Sequence, residues 1–139
     1  MSPQELALAC AAAMWAEDRA SQGLGVEIAS IAPGAAELAM NVREDMVNGH
    51  GTAHGGFIFA LADSAFAFAA NTRDERCVAG QCHIAYLRPA RLGDRLMARA
   101  SEVRRVGRSG IYDVSVSANG EVIAEFRGHS RTVGQKLLT

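Results

Sequence analysis

Residues 48–71, NGHGTAHGGFIFALADSAFAFAAN, decide the fold. The stretch opens as a polar, glycine-rich loop carrying His50 and His54. It turns through Gly55-Gly56 and runs on as an apolar segment in which Asp63 is the one charged residue. The spacing predicts a helix over 57–70. The alanines at 60, 62, 65, 67, 69 and 70 favour helix and permit close packing, and the segment is hydrophobic on nearly every face. A helix that is apolar all round has to be covered on all sides. An ionised carboxylate in such a place is costly unless it is paired or used, so Asp63 is singled out at once.

The flanking sequence supplies the cover. Downstream, Cys82, Ile84 and Tyr86 alternate with His83 and Ala85 up to Arg88-Pro89. Leu96, Ala98 and Ala100 alternate with Arg95, Met97 and Arg99. Tyr112, Val114 and Val116 alternate with Asp113, Ser115 and Ser117. Val122, Ala124 and Phe126 alternate with Glu121, Glu125 and Arg127, with continuation towards Thr132. Period-two alternation means strands with one covered face. Gly107-Arg108-Ser109-Gly110 and Asn119-Gly120 are turn signals, the second a strong type I′ hairpin signature. Upstream, residues 24–32 and 36–42 form an alternating pair separated by Pro33-Gly34, and 43–53 read as loop. Ser2-Pro3-Gln4-Glu5 has the form of a capping box with proline at the first helical position, and predicts a helix over 3–21 closed by Gly23. Residues 134–139 read as a tail. One antiparallel sheet must wrap the central helix, and a second copy of the chain is expected to cover the face left over.

At 139 residues, 49% hydrophobic and 21% charged, the chain is expected to be a single domain, residues 1–139, with a packed core. A formal net charge of −1 gives no argument for nucleic acid. The cations are nonetheless unusual: thirteen Arg and one Lys, with nine Arg against five acids between Arg88 and Arg131. Guanidinium groups suit phosphate recognition; the competing explanation is a solvated surface. Cys10, Cys77 and Cys82 are an odd set without a CxxC pair and read as free thiols in a reducing compartment. No basic leader precedes an apolar core at the N-terminus, and the uncharged run around Asp63 is too short to span a bilayer. A soluble cytoplasmic protein without a membrane partner is the expectation.

The chemistry centres on the same stretch. Gly55-Gly56 stands where the helix begins, where backbone N–H groups lack internal partners and the dipole favours negative charge. Glycine there admits close approach of a ligand, so the turn can polarise a carbonyl that becomes tetrahedral; the simpler alternative is a tight helix start. Asp63 lies eight residues beyond Gly55, roughly 12 Å along a helix axis. The two cannot serve one carbonyl from the same helix. They can do so if two such helices run antiparallel across a dimer axis, which predicts active sites shared between subunits. A structural role for Asp63, bonded to backbone or to Ser64, is the competing explanation. His50 and His54 sit in a loop without an HExxH pattern, so no metal is expected. No GxSxG or cysteine nucleophile signature is present, and His83 and His129 read as strand residues.

Asn48-Gly49-His50-Gly51-Thr52-Ala53-His54-Gly55-Gly56, followed by Ala60-Leu61-Ala62-Asp63, closely resembles the hotdog-fold acyl-CoA thioesterases of the phenylacetic acid degradation type. Tyr86-Leu87-Arg88-Pro89-Ala90, the region from Arg104 to Tyr112, and Glu125-Phe126-Arg127-Gly128 extend the likeness over most of the chain. The resemblance implies an α+β hotdog fold, an antiparallel sheet wrapped around a long central helix. It implies Asp63 as catalytic carboxylate, Gly55 as the N–H donor to the thioester carbonyl, and His54 and Asn48 as supports for carbonyl or water. Arg108 and Ser109 would lie near the nucleotide end of coenzyme A, with Arg88 and Arg104 as further phosphate ligands. It further implies a tetramer of two dimers, ring-hydroxylated phenylacetyl-CoA as substrate, and no cofactor, coenzyme A being part of the substrate. A hotdog hydratase or dehydratase and a non-catalytic acyl-CoA-binding protein are the alternatives.

Overall fold

The computed structural model describes residues 1–138. Its order is α1 (Pro3–Glu17), α2 (Arg19–Gly23), β1 (Glu27–Ala32), β2 (Ala35–Asn41), a 3-10 turn (Glu44–Met46), α3 (Gly55–Ala70), β3 (Cys77–Tyr86), β4 (Arg95–Val106), β5 (Ser109–Ala118) and β6 (Glu121–Thr132). The six strands form one antiparallel sheet in the order β1-β2-β4-β5-β6-β3. The sheet curves around α3, as a helix without a polar face requires. Ile58, Leu61, Ala62, Ala65, Phe66, Phe68, Ala69 and Ala70 of α3 are buried, against Leu38, Met40, Leu96, Val114, Val116 and Phe126 of the strands.

The N-terminal capping box forms as read: Ser2 Oγ accepts from Glu5 N–H at 3.1 Å, and Glu5 Oε1 accepts from Ser2 N–H at 3.0 Å. The single helix expected over 3–21 is instead two. Asp18 interrupts it, and its carboxylate caps α2 by accepting from Ser21 N–H and Oγ. The first strand starts at Glu27, because Gly25 just before it takes a positive φ of 71°. Asn119 and Gly120 have φ of 53° and 78°, as a type I′ turn demands.

Two differences shape the site. β3 begins at Cys77, five residues before the alternation starts. Ala79-Gly80 and a register shift between Ala79 and Gln81 hide this half of the strand from a pattern search. The 134–139 segment is also not a free tail over its described part. Gln135 C=O accepts from Arg76 N–H, and Asp74 Oδ1 accepts from Leu137 and Leu138 N–H at 2.9 and 2.8 Å. Thr139 lies outside the described residues. The C-terminal end of α3 is fixed to the sheet by Arg73, whose guanidinium pairs with Glu102 at 2.7 Å, while Tyr112 donates to the same carboxylate at 2.9 Å.

Candidate active site

The glycine-rich loop is built around Asn48. Its side-chain oxygen accepts from His50 N–H, Thr52 N–H and Thr52 Oγ1 at 3.0–3.2 Å. The loop is then tied down by Ala53 N–H to Ala90 C=O and His54 N–H to Met46 C=O. His54 is the N-cap of α3: its Nδ1 accepts from Gly56 N–H at 3.0 Å. Phe57 N–H bonds back to His54 C=O. Among the described residues, Gly55 N–H has no partner, so the first turn of α3 offers one free backbone donor. Tyr86, at the end of β3, lies over this turn and donates its hydroxyl to Gly55 C=O at 2.9 Å. A Cβ on Gly55 would stand 3.1 Å from the Tyr86 ring, so a side chain there needs the half-exposed ring to give way by a few tenths of an ångström. An open cleft of about 430 Å³ adjoins the spot, lined by Ala53, Gly55, Ile58, Tyr86, Arg88 and Pro89 among others.

Asp63 is half-buried on α3 and opens on a second cleft, of about 240 Å³, whose walls include Phe66, Ala67, Ala70, Val78 and Ala79. Burial pushes its carboxyl above its ordinary value, partly offset by the Cys82 thiol, which reaches Oδ1 at 3.9 Å. The structural alternative of a bond to Ser64 does not form: Ser64 Oγ lies 3.0 Å from Ser21 Oγ instead. A partly desolvated acid with a raised affinity for protons is suited to proton transfer. Asp63 and Gly55 are therefore parts of two different clefts, as the helix rise requires.

The arginines divide as well. Arg88 lies beside the Gly55 cleft and pairs with Glu121 at 3.1 Å. Arg104, Arg108 and Ser109 lie at the β4–β5 hairpin. That hairpin pairs through β6 with the Cys77 end of β3, and Cys77 C=O accepts from Asn71 at the C-terminus of α3. Tyr86 and Cys77 are separated by the length of β3, roughly 30 Å, so one chain cannot bring Arg88 and Arg108 to the same ligand. Of the nine arginines between Arg88 and Arg131, five are in ion pairs: Arg88, Arg95, Arg99, Arg105 and Arg127. More than half of these arginines are thus engaged in ion pairs. Arg131, exposed and opposite Ser109 in the β5–β6 register, joins Arg104 and Arg108 as cations free of ion pairs among the described residues. Only the register reveals it; no local pattern does. No described cluster of three or more His, Cys, Asp or Glu could hold a metal, and no described helix is long and apolar enough to cross a membrane.

The model of the thioesterase superfamily matches residues 50–124, which contain the capped turn, α3, β3 through β5 and the start of β6. The chain belongs to the thioesterase superfamily. It is 42% identical over 124 residues to the acyl-coenzyme A thioesterase PaaI of Escherichia coli K12, covering 88% of each protein. The solved structure of E. coli PaaI, from the phenylacetic acid degradation operon, superposes with a TM-score of 0.95 at 38% identity, over 97% of this chain and 99% of that one. The protein smu.793 of Streptococcus mutans, solved with acetyl CoA bound, superposes with a TM-score of 0.77 at 25% identity, over 80% of this chain and 90% of that one. The hotdog architecture expected from the central stretch is therefore the fold of this thioesterase.

Proposed function

We propose that this thioesterase hydrolyses acyl-CoA thioesters to the free acid and coenzyme A, with phenylacetyl and hydroxyphenylacetyl groups as acyl moieties, in phenylacetate catabolism in the cytoplasm. The observation that carries the proposal is the pair of half-sites on α3: a free backbone N–H at Gly55 and a half-buried acid at Asp63, each with its own cleft. The E. coli relative's name supports acyl-CoA as substrate class and phenylacetate as its setting.

The half-sites are completed by a second copy. β3 is an edge strand, with Val78 and Tyr86 each about half exposed, and an open edge is a template for pairing. Antiparallel pairing of β3 with its copy about a two-fold axis sets the Cys77 end of one strand beside the Tyr86 end of the other. The two α3 helices then also run antiparallel. Gly55 of one subunit approaches Asp63 of its partner, and the Arg104–Arg108–Ser109 hairpin of one chain comes to the side of the partner's Arg88. Two such dimers form a tetramer. Exposed Val103 and Val106 on the same β4–β5 hairpin leave apolar surface for that contact.

In the completed site the Gly55 N–H and the dipole of α3 stabilise negative charge on the thioester oxygen. His54 holds the turn through Gly56, and Asn48 holds the loop through its side-chain oxygen. Asp63 either takes a proton from attacking water or attacks directly to give a mixed anhydride that water then opens. Single turnover in heavy-oxygen water bears on the choice: label entering Asp63 requires direct attack with the anhydride opened at the Asp63 carbonyl, and absence of label from Asp63 argues against that route. No cofactor takes part. Arg104, Arg108, Ser109 and Arg88 bind the phosphates of coenzyme A. A panel of aryl and fatty acyl-CoAs assayed for thiol release tests the proposal. Fastest release from phenylacetyl-type thioesters is expected, and absence of thiol release from every thioester would overturn it.

A further inference from the structure

Cys82 has no part in the mechanism above, yet its thiol is the side-chain hydrogen-bond partner of Asp63 among the described residues. Its place is set by three others. On the sheet, Cys82 is opposite Gly128 of β6. A Cβ at Gly128 would stand 2.8 Å from three ring carbons of Phe66, so the glycine leaves the space in which the Phe66 ring rests on β6. Phe66 and Asp63 are three residues apart on α3 and share a face. Seating Phe66 on the glycine brings Asp63 down onto the neighbouring strand, and Cys82 is the residue it meets.

The remaining polar groups near this face are engaged elsewhere. Ser64 bonds to Ser21 of α2, and Asn71 bonds to Ala67 C=O and to the Cys77 backbone. Cys77, at the far end of the cleft, directs its sulfur to Glu75 C=O and Thr132 Oγ1 at 3.5 Å. Gln81 and His83 flank Cys82 on β3 and are exposed on the opposite face. On β6, Arg127 beside Gly128 is taken by Asp113, and His129 is paired in register with Gln81. From α3 itself no second charge lies between Gly55 and Ala70.

We infer that Cys82 is a positioning residue for Asp63: its S–H donates to Oδ1, which fixes the carboxylate rotamer and leaves Oδ2 for the substrate. The inference rests on Asp63 being the catalytic carboxylate. Burial, then the charge of Asp63, push the Cys82 thiol above its ordinary value, so the sulfur keeps its proton and remains a donor. The donation favours the ionised acid and opposes the burial that favours the neutral one. A thiol is a weak donor. It orients the carboxylate without holding it so tightly that it cannot accept a proton or attack a carbonyl.

The test is the pH profile of kcat/KM on phenylacetyl-CoA, followed by loss of thioester absorbance, for wild type, C82A and C82V, with D63N as reference. Valine fills the space and removes the donor, which separates packing from hydrogen bonding. Both variants are expected to shift the acid limb to higher pH, giving about a threefold lower kcat/KM on the acid side, the effect of a weak hydrogen bond, with KM little changed. Acid limbs superimposable on wild type would overturn the inference, and with D63N inactive they would leave the thioesterase proposal standing. Full turnover in D63N would remove the proposal and the inference together. The S–H stretching band gives a readout that does not depend on the cysteine variants folding. One thiol band is expected to move to higher frequency in D63N while the other two stay; three unchanged bands would overturn the inference.

Discussion

Gly128→Ala tests the close contact that sets α3 against the sheet. The added Cβ would meet Cδ1, Cε1 and Cζ of Phe66 at 2.8 Å, well inside carbon–carbon contact of about 3.5–4.0 Å. Phe66 cannot step aside easily. It is 2% exposed and touches Tyr112 and Phe126 with ring centroids 5.7 and 5.8 Å away. Overpacking of this kind costs about 1–3 kcal/mol, which for a chain of this size lowers Tm by roughly 4–10 °C. Denaturant and thermal unfolding at fixed protomer concentration measure it. Phe66→Leu removes the clash, so the double variant should recover about 1 kcal/mol or more relative to the sum of the single losses. A Gly128→Ala protein within about 0.5 kcal/mol of wild type, or strictly additive losses, would refute the reasoning.

Three further outcomes follow from the site. Asp63→Asn should abolish turnover and raise stability at neutral pH. Burial lifts the native carboxyl above its unfolded value, so the native state loses stability as pH rises from the unfolded value through the native one. The Tm gain should vanish in acid, below both values. Glu102→Gln should act with the opposite sign. Burial pushes Glu102 up, but hydrogen bonds from Arg73 and Tyr112 hold it below its ordinary value. Its contribution is present above the ordinary Glu value and lost as pH falls through the depressed one, so the variant's deficit should appear at neutral pH and shrink in acid when unfolding is followed against pH. His54→Ala removes the α3 cap and should cost about 1 kcal/mol by denaturant titration, with His54→Asn restoring most of the loss.

How much was legible in the sequence depended on the range of the interaction. The Ser2–Glu5 capping box, the Asn119-Gly120 turn and the all-apolar α3 are local, and each was readable from a few residues. The half of β3 from Cys77 to Gln81 was not, because an irregular edge strand rich in small residues carries no alternation. The docking of Leu137 and Leu138 on Asp74 joins positions more than sixty residues apart and has no local sign. In the candidate site, His54, Gly55 and Asp63 stood out by residue type and spacing, Asn48 came only from the family resemblance, and the helix rise alone showed that Gly55 and Asp63 stand apart. Cys82 and Arg131 were invisible for one shared reason: their relevance comes from strand register, Cys82 opposite Gly128 and Arg131 opposite Ser109.

The sharing of the site between subunits is tested most directly by hybrid dimers. Gly55→Pro deletes the N–H donor while suiting the first helical position, and His54 before it already has φ −61° and ψ 133°, the backbone a pre-proline residue adopts. Asp63→Asn deletes the acid. Each variant alone should be inactive. Equal co-refolding of the two should yield about one quarter of the wild-type specific activity, because half the dimers are hybrids and each hybrid keeps one intact site of two. A mixture no more active than its parents would contradict a site built from Gly55 of one subunit and Asp63 of the other.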